Sequence, residues 1–229
     1  MKDLFEKILE GYNSEWDKIF RNKLILRDKK DPYLNEIINF LKKNCVRKII
    51  SIPSGDGINE DYLQKKGFFI TCIDISGEIL KKLEKRIKNK KRIEIIKADI
   101  FNLGKKIKNS KEAILSLDFV FHIAPKLRRF LKTVKNILKK GGFFIFNFYT
   151  SQDDGYGKGT KIGRNTFKFK PNILIKYYTL YEIKNLLNGM GFKTVKVVKY
   201  TRKDPEHFGF RKENKKYHTH RGYLVFCAK

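Results

Sequence analysis

Apolar residues recur along this chain in two alternating rhythms. Leu4, Phe5, Ile8, Leu9 and Tyr12 fall on one helical face. Leu34, Ile37, Ile38 and Leu41 form a second such stripe, after Asp31-Pro32 as a cap and first turn. Short apolar runs then begin, and they predict strands at Arg47–Ile52, Phe68–Ile73, Ile93–Ala98, Ala113–Leu117 and Phe143–Phe148. The last of these is apolar on both faces, as a central parallel strand must be. Helical stripes separate the runs. One covers Asn59 to Lys66 and stops at Gly67. A second opens at Ser76, with Glu78 in its first turn, and carries Ile79, Leu80, Leu83 and Ile87. A third carries Leu127, Phe130, Leu131, Val134, Ile137 and Leu138 and is stopped by Gly141-Gly142.

After residue 149 the rhythm breaks. Thr150 to Asn165 holds four glycines and little apolar content, and Phe167–Tyr178 alternates as an irregular strand would. Residues 150–178 therefore read as an inserted loop or lid. A helix with Leu180, Ile183, Leu186, Leu187 and Met190 resumes the pattern and ends at Gly191. Lys193–Tyr200 and Tyr223–Ala228 close the chain as two strands that can pair at the sheet end. Repeated strand–helix alternation implies an α/β fold in one domain, residues 1–229. The expected sheet is doubly wound and Rossmann-like, with about seven strands, mostly parallel, an antiparallel strand near the end, and helices on both faces.

Composition narrows this only a little. A length of 229 residues and 41 % hydrophobic content suit one folded domain. No apolar run approaches the ~20 residues of a membrane span, and Met1–Lys7 carries acids and no apolar signal core. Cys45, Cys72 and Cys227 are far apart and odd in number, which fits free thiols in a reducing cytoplasm. The net charge is +28, which would attract nucleic acid or another polyanion. However, 41 of the 52 basic residues are Lys and they are spread evenly, so a solvated surface is the simpler reading. The dense run Lys81–Arg92 alternates with Leu83 and Ile87 as the wet face of a helix.

The chemistry concentrates at Ser51-Ile52-Pro53-Ser54-Gly55-Asp56-Gly57-Ile58-Asn59, between the first strand and a helix. Asp74 follows at the end of the next strand. A Gly-x-Gly turn at a strand end lets backbone approach a ligand and aims helix N–H groups at it. A carboxylate ending the neighbouring strand can accept from both hydroxyls of a ribose. The pair implies a nucleoside-containing cofactor at the carboxyl edge of a parallel sheet.

From about Tyr33 onward the residues resemble class I S-adenosylmethionine-dependent methyltransferases. Ile49–Gly57 is similar to the family's first motif. Phe69–Ser76 is similar to the second strand with its ribose acid, and Ile95–Ile100 to the third strand with its adenine-side acid. Leu138–Phe144 resembles the Gly-Gly turn into the fifth strand, and Tyr181–Phe192 the helix before the sixth. More loosely, the C-terminal part resembles the tellurite-resistance and thiopurine branch. The resemblance implies S-adenosyl-L-methionine as cofactor, with S-adenosyl-L-homocysteine as product, and the N-terminal helices, residues 1–45, as a cover. It implies that Asp74 holds the ribose and Ile75 stacks on adenine. Asp99 would accept from the adenine amino group, with Ile100 on the other face. The loop residues Ser51, Pro53, Ser54, Gly55, Asp56, Gly57 and Asn59 would surround the methionine part, and Ser116 and Leu117 would face the sulfonium.

Two residues depart from the family pattern. Ser51 stands where an acid is usual and Pro53 where glycine is usual, so the amino end of the cofactor lacks its ordinary charge and one backbone donor. Asp56 is a candidate to supply that charge. After the fourth strand comes Ser116-Leu117-Asp118-Phe119-Val120-Phe121-His122. It contains no Asn/Asp-Pro-Pro-Tyr, which argues against adenine-amino methylation, and no Cys, which argues against thiolate-assisted cytosine methylation. Asp118 and His122 are candidate bases, His122 having the better intrinsic pKa. Packing before Pro125 is the plainer role for His122. Tyr149 and Tyr12 face the site or simply complete the core. His218-x-His220 suggests a metal, but with no third ligand in view no metal is expected. The expected activity is methyl transfer to a small-molecule acceptor. A binding protein without turnover, an RNA methyltransferase and a nicotinamide oxidoreductase are the competing readings. The last is disfavoured by Glu60 at the third-glycine position.

Overall fold

The computed structural model describes residues 17–18, 29–105, 107, 111–169, 173–205 and 217–229. The stripe expected at Leu4–Tyr12 lies outside them. The described elements begin with α1 (Leu34–Lys43), β1 (Lys48–Ser51), α2 (Ile58–Lys65), β2 (Phe69–Asp74), α3 (Gly77–Arg86) and β3 (Ile93–Lys97). A 3-10 turn at Ile100–Lys105 leads to β4 (Lys111–Ser116). A second at Ala124–Lys126 leads to α4 (Leu127–Ile137) and β5 (Leu138–Tyr149). Then follow β6 (Thr160–Gly163), β7 (Thr166–Phe169), β8 (Ile173–Lys176), α5 (Leu180–Gly189), β9 (Lys193–Pro205) and β10 (Tyr217–Ala228).

Seven strands form one sheet in the order β3-β2-β1-β4-β5-β10-β9. The first five pair in parallel, while β10 pairs antiparallel with both β5 and β9. Strand order reverses between β1 and β4. In an open α/β sheet this switch point is where the carboxyl strand ends splay and leave a crevice. The helices pack as their stripes require: Ile37, Ile38 and Leu41 of α1, Leu83 of α3 and Phe130, Leu131 and Val134 of α4 are all buried. Aromatic rings fill the centre, with Phe40 against Phe143 and Phe226, and Phe130 against Phe144. Two local signals act as expected: Ser76 caps α3 by accepting from the Ile79 N–H, and α1 begins just after Pro32. Thr179 and Glu182 also close a capping box on α5.

Four details differ from the sequence reading. Asp31 does not cap α1 with its side chain, because its carboxylate is drawn into a buried ion cluster described below. α4 ends at Ile137, and Leu138 already pairs with Lys111. Gly141-Gly142 therefore bends an existing strand rather than stopping a helix, with Gly141 at φ +72°. Residues 160–176 are not one irregular strand but a three-stranded antiparallel sheet, β6-β7-β8, with Phe167, Phe169, Leu174 and Ile175 buried. It is pinned to the main sheet where the Lys176 N–H donates to the Phe121 carbonyl at 2.9 Å. Finally, β9 and β10 run as a ladder of twelve paired positions, from Tyr217↔Pro205 to Ala228↔Lys193, well beyond the two short strands expected. Among the described residues no helix is long and apolar enough to cross a membrane.

Candidate functional site

The crevice at the switch point is built by the ends of β1, β2 and β4 and the loop after each. Asp74 ends β2 and is buried. Its Oδ2 accepts from the Gly55 N–H at 3.1 Å and its Oδ1 from the Ser76 N–H at 3.0 Å. One carboxylate thus ties the glycine loop to the start of α3. Burial pushes its carboxyl up to about 6, against the pull of these N–H bonds. Ser76 Oγ also donates to the Asp17 carboxylate, which brings Asp17 against this end of the crevice. Gly57 has φ +80°, and a Cβ there would lie 2.7 Å from Leu83 Cγ. Glycine is therefore needed both for the left-handed turn into α2 and for close packing on α3.

The other nucleoside-end candidates lie along the same edge. Asp99 follows β3, accepting from the Phe101 N–H at 2.9 Å and from Asn102 Nδ2 at 2.8 Å. Ile100 is buried and Ile75 half-buried beside it. On the opposite side of the switch point, Ser116 ends β4 and Leu117 follows. Ser54 and Ser116 each bury a hydroxyl that has no hydrogen-bond partner among the described residues. A buried unpaired hydroxyl is costly. Two such groups at the sheet's carboxyl edge are what a polar ligand in the crevice would satisfy.

The amino-acid end departs from expectation. Asp56 does not stand in for the missing acid: its Oδ2 is 2.8 Å from Arg86 Nη2, and its carbonyl accepts from Arg86 Nε at 3.0 Å. The carboxylate that reaches β1 is Glu60, from the first turn of α2. Its Oε1 accepts from Ser51 Oγ at 2.6 Å, and both residues are buried. Ser51 and Glu60 together place a hydrogen-bonded carboxyl where the family carries an acid on the strand itself. The sequence held one sign of this, since Glu60 occupies the third-glycine position, but not the helical turn that folds it back. Asn59 faces a different neighbour, with its Nδ2 donating to Asp31 Oδ2 at 2.6 Å.

Burial pushes the Glu60 carboxyl from 4.5 up to about 7, against the Ser51 hydrogen bond. Its folded pKa is therefore raised. The folded state holds a proton that the unfolded state has lost, and stability falls as pH rises between about 4.5 and 7. The full effect is about 3 kcal/mol at ~1.4 kcal/mol per pKa unit. Asp74 and Asp153, each pushed up to about 6 by burial, act with the same sign. Glu60→Gln is expected to flatten part of the decline in melting temperature between pH 5 and pH 7.5, measured without ligand. An unchanged slope would sink the assignment.

The catalytic candidates after β4 and β5 form one network around a residue that sequence reasoning missed. Arg202, buried on β9, donates through Nη1 to Asp31 Oδ1 and to Asp118 Oδ2, both at 2.7 Å. Its Nη2 reaches Tyr149 OH at 3.1 Å, and its Nε reaches Asp204 Oδ2 at 3.0 Å. Asp118 has φ +52° and is clamped by Asn147, which accepts from its N–H at 2.6 Å and donates to its Oδ1 at 2.7 Å. Tyr149 donates to the same Oδ1 at 3.3 Å, and burial keeps its phenol protonated by pushing the pKa well upward. Asp118 and Tyr149 thus bind Arg202 and Asn147 first. His122 is placed differently. Its Nδ1 lies 2.7 Å from the Leu174 carbonyl and must donate, so the neutral ring presents Nε2 as its acceptor. No pattern in the sequence separates Arg202 from the other basic residues. Only its burial does.

A second cluster adjoins this one. His220 stacks on the Tyr149 ring, 4.3 Å between centroids and 2° from parallel, and His220 Nδ1 lies 2.9 Å from Asp153 Oδ2. The His218 and His220 Nε2 atoms are 2.8 Å apart.

Comparison with known proteins agrees with this geometry. Residues 50–146 match the methyltransferase domain family, a span running from β1 through β5. A 1,6-didemethyltoxoflavin N1-methyltransferase from Burkholderia thailandensis superposes over 100 % of this chain and 92 % of its own, with TM-score 0.70 and 14 % identity. A SAM-dependent methyltransferase from Methanosarcina mazei does so over 88 % and 98 %, with TM-score 0.66 and 20 % identity. TehB from Haemophilus influenzae matches over 85 % of this chain and 62 % of its own, with TM-score 0.63 and 15 % identity. No curated protein sequence matches the chain significantly. Residues 50–146 thus match a methyltransferase domain, and the chain as a whole shares the fold of S-adenosylmethionine-dependent methyltransferases.

Proposed function

We propose that this chain transfers a methyl group from S-adenosyl-L-methionine to a small-molecule acceptor in the cytoplasm. The observation that carries the reading is Asp74. It is a buried carboxylate at the end of β2, held by the Gly55 and Ser76 N–H groups at the mouth of the switch point. It can accept from two ribose hydroxyls while the Ile75 and Ile100 side chains flank a purine and Asp99 accepts from its amino group. Ser51 and Glu60, with Ser54, Gly55 and Gly57, suit the amino-acid end. The bound cofactor supplies an electrophilic methyl that a nucleophile displaces in line, so the protein's work is alignment and proton removal. Ser116 and Leu117 border that line, and His122 is the best-placed group to take a proton. Asp118 and Tyr149 shape the acceptor side through Arg202. The 1–45 segment is proposed as the cover, supported by the Asp17–Ser76 bond. The 150–178 insertion, carrying the β6-β7-β8 sheet, is proposed to wall the acceptor side.

The structurally similar Burkholderia enzyme was captured with 1,6-didemethyltoxoflavin and S-adenosylhomocysteine, a small-molecule pair that suits this reading. The charge of +28 leaves an RNA acceptor as the second reading. Titration calorimetry should show one site for S-adenosylhomocysteine with micromolar affinity, and mass spectrometry should show methylated product from a small-molecule panel. Absence of cofactor binding would end both the enzyme and the binding-protein readings. Binding without turnover on small molecules or RNA would leave only the latter. RNA binding that survives ~200 mM salt, with methylated RNA as product, would favour RNA.

A further inference from the structure

We propose that Asp204, His218 and His220 form a binding site for one divalent transition-metal ion, zinc foremost, held between β9 and β10 at the sheet's carboxyl edge. The site follows from strand geometry. His218 and His220 are two apart on β10, so their side chains leave the same face. Asp204 is the direct cross-strand partner of His218, and cross-strand partners share a face. One donor atom from each of the three lies within 4.8 Å of the others.

The spacing suits coordination. Tetrahedral zinc with bonds of ~2.0–2.1 Å holds its ligand atoms about 3.3 Å apart. Here the two Nε2 atoms are 2.8 Å apart and His220 Nε2 is 3.7 Å from Asp204 Oδ2, on either side of that spacing, and all three donor atoms lie within 4.8 Å. Both histidines are buried, while the Asp204 side chain keeps 15 % exposure and gives the site its wet side. The surroundings are those of a metal-binding histidine. Asp153, itself buried, takes the His220 Nδ1–H at 2.9 Å, which fixes the ring and turns Nε2 toward the site. Asp153 is held in turn by the Gly155 and Arg221 N–H groups at 2.8 and 3.1 Å. Arg202 takes Asp204 Oδ2 through Nε and Nη2, orienting that carboxylate.

The protons balance. Without metal, one proton must lie between the two facing Nε2 atoms. When the ion binds, both nitrogens and an Asp204 oxygen coordinate it, and the His218 proton moves from Nε2 to Nδ1, so both rings stay neutral. Two imidazoles and one carboxylate leave open positions on the ion. The cluster borders Tyr149 through the His220 ring stack, so, resting on the acceptor side proposed above, an oxygen or sulfur of the acceptor can complete the coordination.

The test uses chelator-treated, full-length protein carrying Cys45→Ser, which removes the exposed thiol. Zinc chloride is titrated in competition with a chromophoric chelator. The expected result is one equivalent bound at sub-micromolar Kd, a raised melting temperature, and at least 100-fold weaker binding in His218→Ala and His220→Ala. Asp153→Asn should weaken binding about 10- to 100-fold as an orienting partner. Far-UV circular dichroism checks the fold. If His220→Ala misfolds through loss of its Tyr149 stack, His218→Gln and Asp204→Asn decide the matter. Equal zinc affinity in wild type and folded His218 variants, or no binding at ~100 µM zinc, overturns the site. None of these readouts depends on methyl transfer.

Discussion

Replacing Asp74 with alanine is expected to lower affinity for S-adenosylhomocysteine at least 100-fold. Two hydrogen bonds from ribose hydroxyls to a carboxylate contribute about 1.5–3 kcal/mol each, and about 3 kcal/mol is already more than a factor of 100. The substitution also frees the Gly55 and Ser76 N–H groups. Asp74→Asn separates the two effects, because its amide oxygen can still take one N–H while its amide nitrogen cannot accept from a hydroxyl. Calorimetry with both variants, alongside thermal melts, reads them apart. Near-native affinity in a folded Asp74→Ala protein would remove the ribose assignment.

Replacing Arg202 with methionine is expected to cost about 3–5 kcal/mol of stability, the range seen when one partner of a buried ion pair is removed. The loss would be large because Arg202 neutralises Asp31 and Asp118, both buried or nearly so, and supports Tyr149. Asp31 lies 171 residues away in the chain, so this one guanidinium joins the segment before α1 to β9 and to the loop after β4. Arg202→Lys should recover only part of the loss, since an ammonium cannot reach four partners with a planar fork. Urea unfolding of the three proteins measures this. A methionine variant within 1 kcal/mol of wild type would show that the cluster is dispensable.

The two substitutions probe different kinds of information. The position of Asp74 was legible because it follows from a repeating strand–helix rhythm. A strand end, a turn of fixed length and the next strand end bring Gly55 and Asp74 together through parallel pairing of β1 with β2, whose register is local and regular. Ser76 and the helical stripes were legible for the same reason, as each acts within four residues of itself. The insertion reads as a loop with an irregular strand because its strands are only four residues each, and only their mutual pairing makes them a sheet.

Arg202, Glu60 and the His218–His220 pair were not legible in their roles. A buried arginine looks like any other in a chain with 52 basic residues. Its meaning comes from two carboxylates, Asp31 and Asp118, brought from distant points of the chain. Glu60 read as a spoiled glycine position, and only the turn of α2 aims it at Ser51. The two histidines lacked a third ligand until antiparallel pairing set Asp204 opposite His218 and the insertion delivered Asp153. The sequence by itself determined the doubly wound sheet and the placing of Gly55 and Asp74 at neighbouring strand ends, because periodicity and turn chemistry are short-range. The tertiary structure alone decided which charges are buried together and which polar groups meet across β9, β10 and the insertion. Burial and cross-strand register join residues whose separation along the chain carries no local signal.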